Sequence, residues 1–304
     1  MRIVRGLPPV PPEAPPSAVA LGVFDGVHLG HRAILGLAVS HAGTDMRSVA
    51  CTFDPHPMEI LQPGRAPLAI TTLDERLALI EGCGLDVAVV LPFTRDLAAM
   101  EPETFVKDVL VTRLGAREVV VGFNHRFGRG ARGDAAMLRS LGERLGFRTH
   151  VAEPLMVDGV AVSSTEIRAA LKRGDLAVAS RLLGRAYTLA GTIGHGAGRG
   201  RTLGFPTANL VPDRPVLVAP GVYACMAEVG GRKERAVVNV GVRPTFGETA
   251  LAVEAYLLDF AADIYGQTMT LTFASRIREE RRFPSVEALK SQIEADAAEA
   301  RRRL

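Results

Sequence analysis

Cysteine is scarce in this chain, and long apolar runs are missing altogether. The three cysteines, Cys51, Cys83 and Cys225, form no CxxC or zinc-binding spacing and cannot all pair within one chain. No window of about 18 uninterrupted apolar residues predicts a membrane span. Prolines occupy the N-terminal stretch where a signal peptide would need an apolar core. We therefore expect a reduced, cytoplasmic protein without a membrane partner.

The chain also has only a small excess of positive over negative charge. The net charge of +3 is small for 304 residues and gives little reason to invoke nucleic acid as a partner. A hydrophobic fraction of 47% instead indicates a globular protein with substantial cores, and the length allows two domains.

The first part of the chain alternates short apolar runs with helical patterns. This alternation predicts a doubly wound parallel sheet covered on both faces, an α/β domain whose ligands bind beyond the carboxyl ends of the strands. The predicted strands are 18–23, 49–53, 87–91, 118–122 and 148–151. The predicted helices include 33–40, 74–81, 103–114 and 134–145.

The pattern changes near Arg185. Short strand-like runs separated by loops rich in glycine and proline predict a small antiparallel β-barrel. These runs are 188–193, 221–229, 235–240, 253–260 and 269–273. A terminal helix follows from Ser285, which can cap it. The predicted domains are therefore residues 1–183 and 184–304.

The most informative motif is the run from Gly22 to His31, at a predicted strand-to-helix turn. Free backbone N–H groups and the positive helix end favour an anion there, and His28 and His31 add donors. A Walker A loop would need a Lys-Ser/Thr pair, which is absent. The pattern favours nucleotide phosphate binding. A metal pair completed by His41 or His56, or solvated turn residues, are the alternatives.

Three further segments follow in the same half. Prolines bracket His56 in the run 52–57, which makes a rigid loop that is either structural or faces a ligand. Asn124, in the run 122–128, can both donate and accept hydrogen bonds, which suits recognition of a base or flavin ring. The hydroxyls of 163–165 can simply cap a helix, or they can face an anion together with Arg168.

The second half carries its own signals. The glycine-dense run 191–210 is typical of a loop that folds over phosphates, although a linker would also be rich in glycine. Thr207 and Asn209 share a face if extended, either as Mg²⁺ ligands or as a polar strand face. Alternation places Glu254 beside Tyr256, Leu258 and Phe260, where a carboxylate is costly unless it is paired or used.

The first-half segments, in this order, resemble the adenylyltransferase half of bacterial bifunctional riboflavin kinase/FAD synthetases, with an HxGH nucleotidyltransferase-like fold. The resemblance implies that His28 and His31 grip ATP phosphates and act in catalysis, while Asn124 and His56 meet the flavin. His125 stands where an aromatic residue is common in the family. The implied ATP-binding residues are Gly22, Phe24, Asp25, Gly26, His28, His31, Ser164, Thr165 and Arg168.

The second half resembles the riboflavin kinase domain of the same enzymes, from the glycine-rich loop through 239–246 to 277–283. The resemblance implies a six-stranded barrel, with Glu254 as the base on the ribityl 5′-hydroxyl and Arg243 and Arg278 near the flavin. Tyr256 replaces a histidine that is common in the family. The implied ATP-binding residues are Gly194, Gly196, Gly200, Thr207 and Asn209, the last two also holding Mg²⁺.

The expected function is conversion of riboflavin to FMN and of FMN to FAD, with one ATP consumed in each step. The substrates are small molecules, the cofactor is Mg²⁺, and the protein is a monomer or weak homo-oligomer. Two rivals are an FAD synthetase whose kinase half has decayed and a flavin-binding regulator without catalysis. The retained Thr207, Asn209 and Glu254 argue against the first, and the phosphate-binding and metal-binding groups retained in both halves argue against the second.

Overall fold

The computed structural model describes residues 1–7, 9, 16–195, 200, 203–245 and 248–304, of which 243–245 and 248–250 are described by their backbone alone. The chain forms two compact units, Met1–Ser163 and Ser164–Leu304. The boundary predicted between residues 183 and 184 lies further along the chain and stays a prediction.

The first unit is built on a six-stranded parallel sheet in the order β1-β4-β3-β2-β5-β6. Its strands are β1 Arg2–Arg5, β2 Ser17–Leu21, β3 Arg47–Asp54, β4 Val87–Pro92, β5 Ala116–Gly122 and β6 Arg148–Ala152. A two-stranded antiparallel ribbon, β7 Met156–Val157 and β8 Val160–Ala161, follows. The five predicted strands are present, and β1 is an addition at the edge of the sheet.

Helices cover both faces of this sheet. They are α1 Leu29–Ala42, α2 Pro57–Leu61, α3 Leu73–Glu81, α4 Arg95–Ala99, α5 Pro102–Thr104 and α6 Ala135–Leu145, with a π-helix at Phe105–Arg113 and a 3₁₀ turn at Arg129–Ala131. Val19 and Leu21 of β2 face the core that contains Val106. Ala20, between them, faces the core that contains Leu35 of α1. This alternation confirms the predicted sheet with two covered faces.

The second unit is a closed antiparallel barrel preceded by two helices. The helices are α7 Ser164–Arg173 and α8 Leu176–Leu183. The strands are β9 Tyr187–Gly194, β10 Ala208–Pro212, β11 Gly221–Val229, β12 Arg232–Thr245, β13 Glu248–Leu257 and β14 Thr268–Arg278, closing in the order β10-β13-β12-β11-β14-β9. The helix α9, Val286–Arg303, follows, and Ser285 caps it as predicted. The predicted barrel and terminal helix are both confirmed.

The two faces of the barrel wall carry different side chains. Inside, the rings of Tyr187 and Tyr223 pack on Phe273 with centroids 5.7 and 5.3 Å away. Outside, Val222 and Val237 join the apolar cluster that α9 covers. One expectation is wrong in extent: β13 ends at Leu257, so Leu258 and Phe260 do not continue the strand face that carries Glu254 and Tyr256.

Candidate active sites

Three of the predicted motif segments meet at one edge of the first unit's sheet. Strands β3, β2 and β5 are neighbours and run parallel. Their carboxyl ends lead into the segments that hold His56, His28 and Asn124 respectively. Because this edge is where parallel sheets bind ligands, the topology brings the three segments into one candidate site.

The turn that carries the histidines is held by a buried carboxylate. Asp25, only 6% exposed, accepts hydrogen bonds from the backbone N–H groups of Ile70 and Thr71 at 3.0 and 3.1 Å. The Thr71 hydroxyl accepts in turn from the Gly26 N–H at 3.0 Å. Asp25 therefore fixes the shape of the turn. Sequence analysis missed Thr71, although its place directly before the cap of α3 is a usable signal.

Two non-glycine residues in this turn have left-handed backbone angles, Phe24 with φ 56° and Val27 with φ 36°. Such conformations persist only where the surroundings impose them. Here the imposing contacts include Arg76, whose buried guanidinium donates to the Val23 carbonyl at 2.7 Å, and Thr52, which donates to the same carbonyl at 2.9 Å. These contacts therefore hold the turn rigidly in this conformation.

His28 and His31 are placed by the start of α1. His28 is the N-cap of this helix, and its Nδ1 accepts from the His31 N–H at 3.2 Å. The accepting Nδ1 carries no hydrogen, so the ring N–H is on Nε2. His28 therefore serves as a helix cap through one nitrogen and as a donor through the other. This arrangement fits the predicted contact with phosphate oxygens.

The alternative of a metal site completed by His41 is excluded by the position of this residue. His41 lies 13 positions after His28 on the same helix, about 20 Å along the axis. There its ring stacks on His150 at 3.6 Å. Across the described ranges, no group of three or more His, Cys, Asp or Glu side chains is arranged to hold a metal ion.

His56 and His125 have specific structural surroundings. His56 caps α2, with its Nδ1 accepting from the Met58 N–H at 3.1 Å. His125 packs parallel to Phe127 at 6.0 Å. Burial lowers the pKa of His125 from 6.5 to about 4, so the imidazole is neutral near pH 7. Asn124 is exposed, and its Oδ1 lies 3.6 Å from where a Cβ on Gly122 would be, at the end of β5.

Ser164, Thr165 and Arg168 lie in the first two turns of α7, which belongs to the unit 164–304. Within that unit the Leu171 carbonyl accepts from the Ala219 N–H at 3.1 Å. A Cβ on Gly174 would lie 3.1 Å from Cδ of Arg276 in β14. These contacts attach α7 and the turn after it to the barrel.

The barrel places three polar residues in a row across neighbouring strands. Glu254 of β13 lies directly opposite Asn209 of β10 on one side and opposite Asn239 of β12 on the other. Opposite residues in antiparallel strands share a face, so the three side chains line one outer face of the barrel. Asn239 begins the segment 239–246 of the second half, and the sequence analysis predicts no role for it. Its signal is a lone amide in the apolar run 236–240.

Two glycines of the glycine-rich segment, Gly194 and Gly200, lie near Asn209 and Thr207. A Cβ on Gly200 would overlap the Phe205 carbonyl and lie 3.1 Å from Thr207 Oγ1, so only glycine fits. Gly194 lies in register with Asn209. Gly196 lies outside the described residues, and Arg243 lies in β12 with its side chain outside them.

Arg278 is held by a carboxylate of α9. Its guanidinium makes three hydrogen bonds of 2.8 to 3.1 Å with Asp296, which is 2% exposed. The same guanidinium lies 5.5 Å from the ring centroid of Phe283. Arg278 thus ties β14 to α9, a structural role beside the predicted flavin contact. Sequence analysis missed Asp296, which reads as one polar residue among many in that helix.

Comparison with known proteins assigns a family to each half of the chain. The family model described as FAD synthetase matches residues 10–166, and the one described as Riboflavin kinase matches residues 183–304. Proteins named Bifunctional riboflavin kinase/FMN adenylyltransferase are similar over almost the whole chain. Those from Escherichia coli and Pseudomonas fluorescens are 38% and 39% identical, each covering 99% of this chain and 97% of the relative. The Bacillus subtilis protein is 38% identical over 93% and 91%.

A solved structure titled Macrolide-efflux Protein from Streptococcus pneumoniae has the same fold. Its TM-score is 0.90 at 31% identity, and the match covers 99% of both chains. The name macrolide-efflux protein belongs to that structure and is not carried over to this chain. Among the described residues of this chain, no helix is long and apolar enough to cross a membrane.

The two matched families, found on a parallel α/β unit and a closed barrel, identify a two-domain transferase. The chain belongs to the family of bacterial bifunctional riboflavin kinase/FMN adenylyltransferases.

Proposed function

We propose that this chain converts riboflavin to FMN with its barrel unit and FMN to FAD with its parallel-sheet unit. The observation that supports this most is that the predicted phosphate-binding histidines and the predicted base lie in different units. The histidine turn belongs to the unit 1–163, and the Asn209–Glu254–Asn239 row belongs to the unit 164–304.

In the adenylyltransferase step, an FMN phosphate oxygen attacks the α-phosphorus of ATP, and the bond to the β-phosphate breaks to release pyrophosphate. The nucleophile is already an anion at pH 7, so no protein base is needed. His28 Nε2, His31 and the first N–H groups of α1 stabilise charge on the phosphates. The family resemblance assigns Ser164, Thr165 and Arg168 to the triphosphate of ATP, and Asn124 and His56 to the flavin.

The rigidity of the turn has a catalytic consequence. Asp25, Thr71 and Arg76 hold the backbone from Val23 to Gly26 through buried hydrogen bonds. Donors that are already in place need no reorganisation when charge develops in the transition state. Gly22, Phe24, Asp25 and Gly26 therefore act chiefly by shaping the phosphate site.

In the kinase step, Glu254 takes the proton of the ribityl 5′-hydroxyl, the oxygen bonds to the γ-phosphorus of ATP, and ADP leaves. Positioned bases of this kind contribute roughly 10²–10⁴ in rate. Gly194, Gly196 and Gly200 approach the phosphates through backbone N–H groups. Arg243 and Arg278 are the proposed flavin-binding residues of this unit.

The residues around Thr207 fit a bound Mg²⁺. Mg²⁺ prefers oxygen ligands, and Thr207 and Asn209 supply a hydroxyl and an amide oxygen. Glycine at position 200 lets the backbone of the glycine-rich segment approach Thr207 Oγ1 closely, which a larger residue would prevent. When bound, Mg²⁺ neutralises phosphate charge, while the protein orients the acceptor hydroxyl and receives its proton.

A time course with riboflavin, ATP and Mg²⁺, followed by chromatography, tests the proposal. Riboflavin should decline as FMN rises, and FAD should follow at the expense of FMN. A chain with a decayed kinase makes FAD only when FMN is supplied. A flavin-binding regulator leaves bound riboflavin unchanged.

A further inference from the structure

Asn239 occupies a position next to the proposed base that has no assigned role. Its Cα partner across the β12–β13 ladder is Glu254, so their Cβ atoms are about 5 Å apart on the same face. Asn239 is half-buried, and within the described residues its side-chain amide makes no hydrogen bond. An amide with both donor and acceptor capacity therefore lies beside the carboxylate without a structural task.

The two sides of Glu254 in this row differ in what they are expected to bind. On one side of Glu254 lie Asn209 and Thr207, which the proposed function assigns to ATP and Mg²⁺. A hydroxyl that touches Glu254 must meet the γ-phosphate from that side. The rest of the acceptor molecule then extends toward the other side, where Asn239 lies.

Further polar groups lie beside Asn239 along strand β12, whereas the next residue across the row is Val222 of β11. A Cβ on Gly241 would lie 3.2 Å from Asn239 Nδ2 and would overlap Glu280 Oε1. Gly241 is two residues after Asn239 on β12 and therefore shares its face. An amide followed by a carboxylate, with no side chain at Gly241, suits a chain of hydroxyl groups better than an aromatic ring.

We infer that Asn239 binds a secondary hydroxyl of the ribityl chain and helps the kinase unit to select its acceptor. This inference rests on the proposed function, because the direction of the row depends on Glu254 and the ATP side. Asn239 holds the substrate so that its 5′-hydroxyl stays at Glu254, and it takes no proton itself.

The test compares the wild-type chain with Asn239→Ala, using riboflavin and analogues that each lack one of the 2′-, 3′- or 4′-hydroxyls. With riboflavin, kcat/KM should fall about tenfold, the loss expected for one hydrogen bond. KM for ATP and the FMN-to-FAD rate of the same molecule should stay within about twofold. For one analogue, wild type and Asn239→Ala should become equal, because the contact is already missing.

Gln267→Ala is the matched control, since it removes an exposed amide at the start of β14 in the same barrel. It should leave kcat/KM for riboflavin unchanged. If Asn239→Ala loses the same factor with every analogue, or loses nothing, the inference is wrong while the proposed function stands. If the wild-type chain forms no FMN from riboflavin, the proposed function and the inference both fail.

Discussion

His28 and His31 stack face to face, with ring centroids 3.6 Å apart and 17° between their planes. The stack exists because His28 caps α1 while His31 occupies its first turn, which places both rings at the positive helix end. One imidazole therefore has two roles, since His28 Nδ1 accepts from the helix N–H and Nε2 remains as the ring donor.

These two roles of His28 can be separated by mutation. His28→Ala removes both, whereas His28→Asn keeps a good N-cap and removes the imidazole donor. We expect Asn to recover most of the roughly 1 kcal/mol that Ala costs in the free energy of unfolding. FAD formation should stay reduced about 10²–10³-fold in both variants, as measured from supplied FMN.

Phosphorylation of riboflavin by these variants is the internal control, because the barrel unit does not contain His28. Recovery of FAD formation by His28→Asn would show that the cap is what matters and that the donor does not.

The depressed pKa of His125 predicts an acid-sensitive first unit. The folded pKa is about 4 and the ordinary value is 6.5, so between these pH values the unfolded chain binds more protons. Stability is therefore complete above pH 6.5 and is lost as the pH falls toward 4, by up to about 3 kcal/mol. Amide hydrogen exchange in β2 and β5 from pH 7 to 4.5 measures this loss.

His125→Phe provides the matched variant, because it keeps an aromatic ring against Phe127 and removes the titrating group. The loss of protection between pH 6.5 and 4.5 should become markedly smaller. An unchanged loss would mean that other groups cause the acid sensitivity.

Glu254→Gln should reduce riboflavin phosphorylation by roughly 10²–10⁴ with little change in fold. The amide keeps the shape of the side chain between Asn209 and Asn239 but cannot take the proton. Supplied FMN should still become FAD at the wild-type rate, since that step uses a phosphate anion in the other unit. FMN production near the wild-type rate would exclude Glu254 as the base.

The position of α7 and α8 predicts which fragment of the second half is more stable. Residues 164–304 include these helices, whose Leu171, Leu182 and Leu183 are buried, whereas residues 184–304 omit them. Both fragments should phosphorylate riboflavin if the barrel carries the site. The shorter one should have a lower Tm, because barrel surface near Arg276 and Ala219 becomes exposed.

Equal Tm values would support the predicted boundary at residues 183 and 184. A folded 164–304 fragment without kinase activity would show that the first half completes the kinase site.

The periodicity of apolar residues was enough to predict the parallel α/β unit, the antiparallel barrel and most of their helices and strands. Alternation of apolar runs with helical periods specifies a covered parallel sheet, because each strand must bury both faces. The order of motifs was enough to place His28, Asn124 and His56 after particular strands. The carboxyl ends of β3, β2 and β5 then had to meet at one edge.

What the sequence could not specify was decided by pairing between distant segments. Asp25 precedes Ile70 and Thr71 by 45 and 46 residues, and only folding shows that its carboxylate shapes the turn. The same holds for the strand register that places Glu254 between Asn209 and Asn239, and for the Asp296 contact that holds Arg278. The sequence by itself determined which residue types and which local elements this protein has. Tertiary structure alone decided which of those residues support the sites, because hydrogen bonds and strand register join positions whose separation along the chain carries no periodic signal.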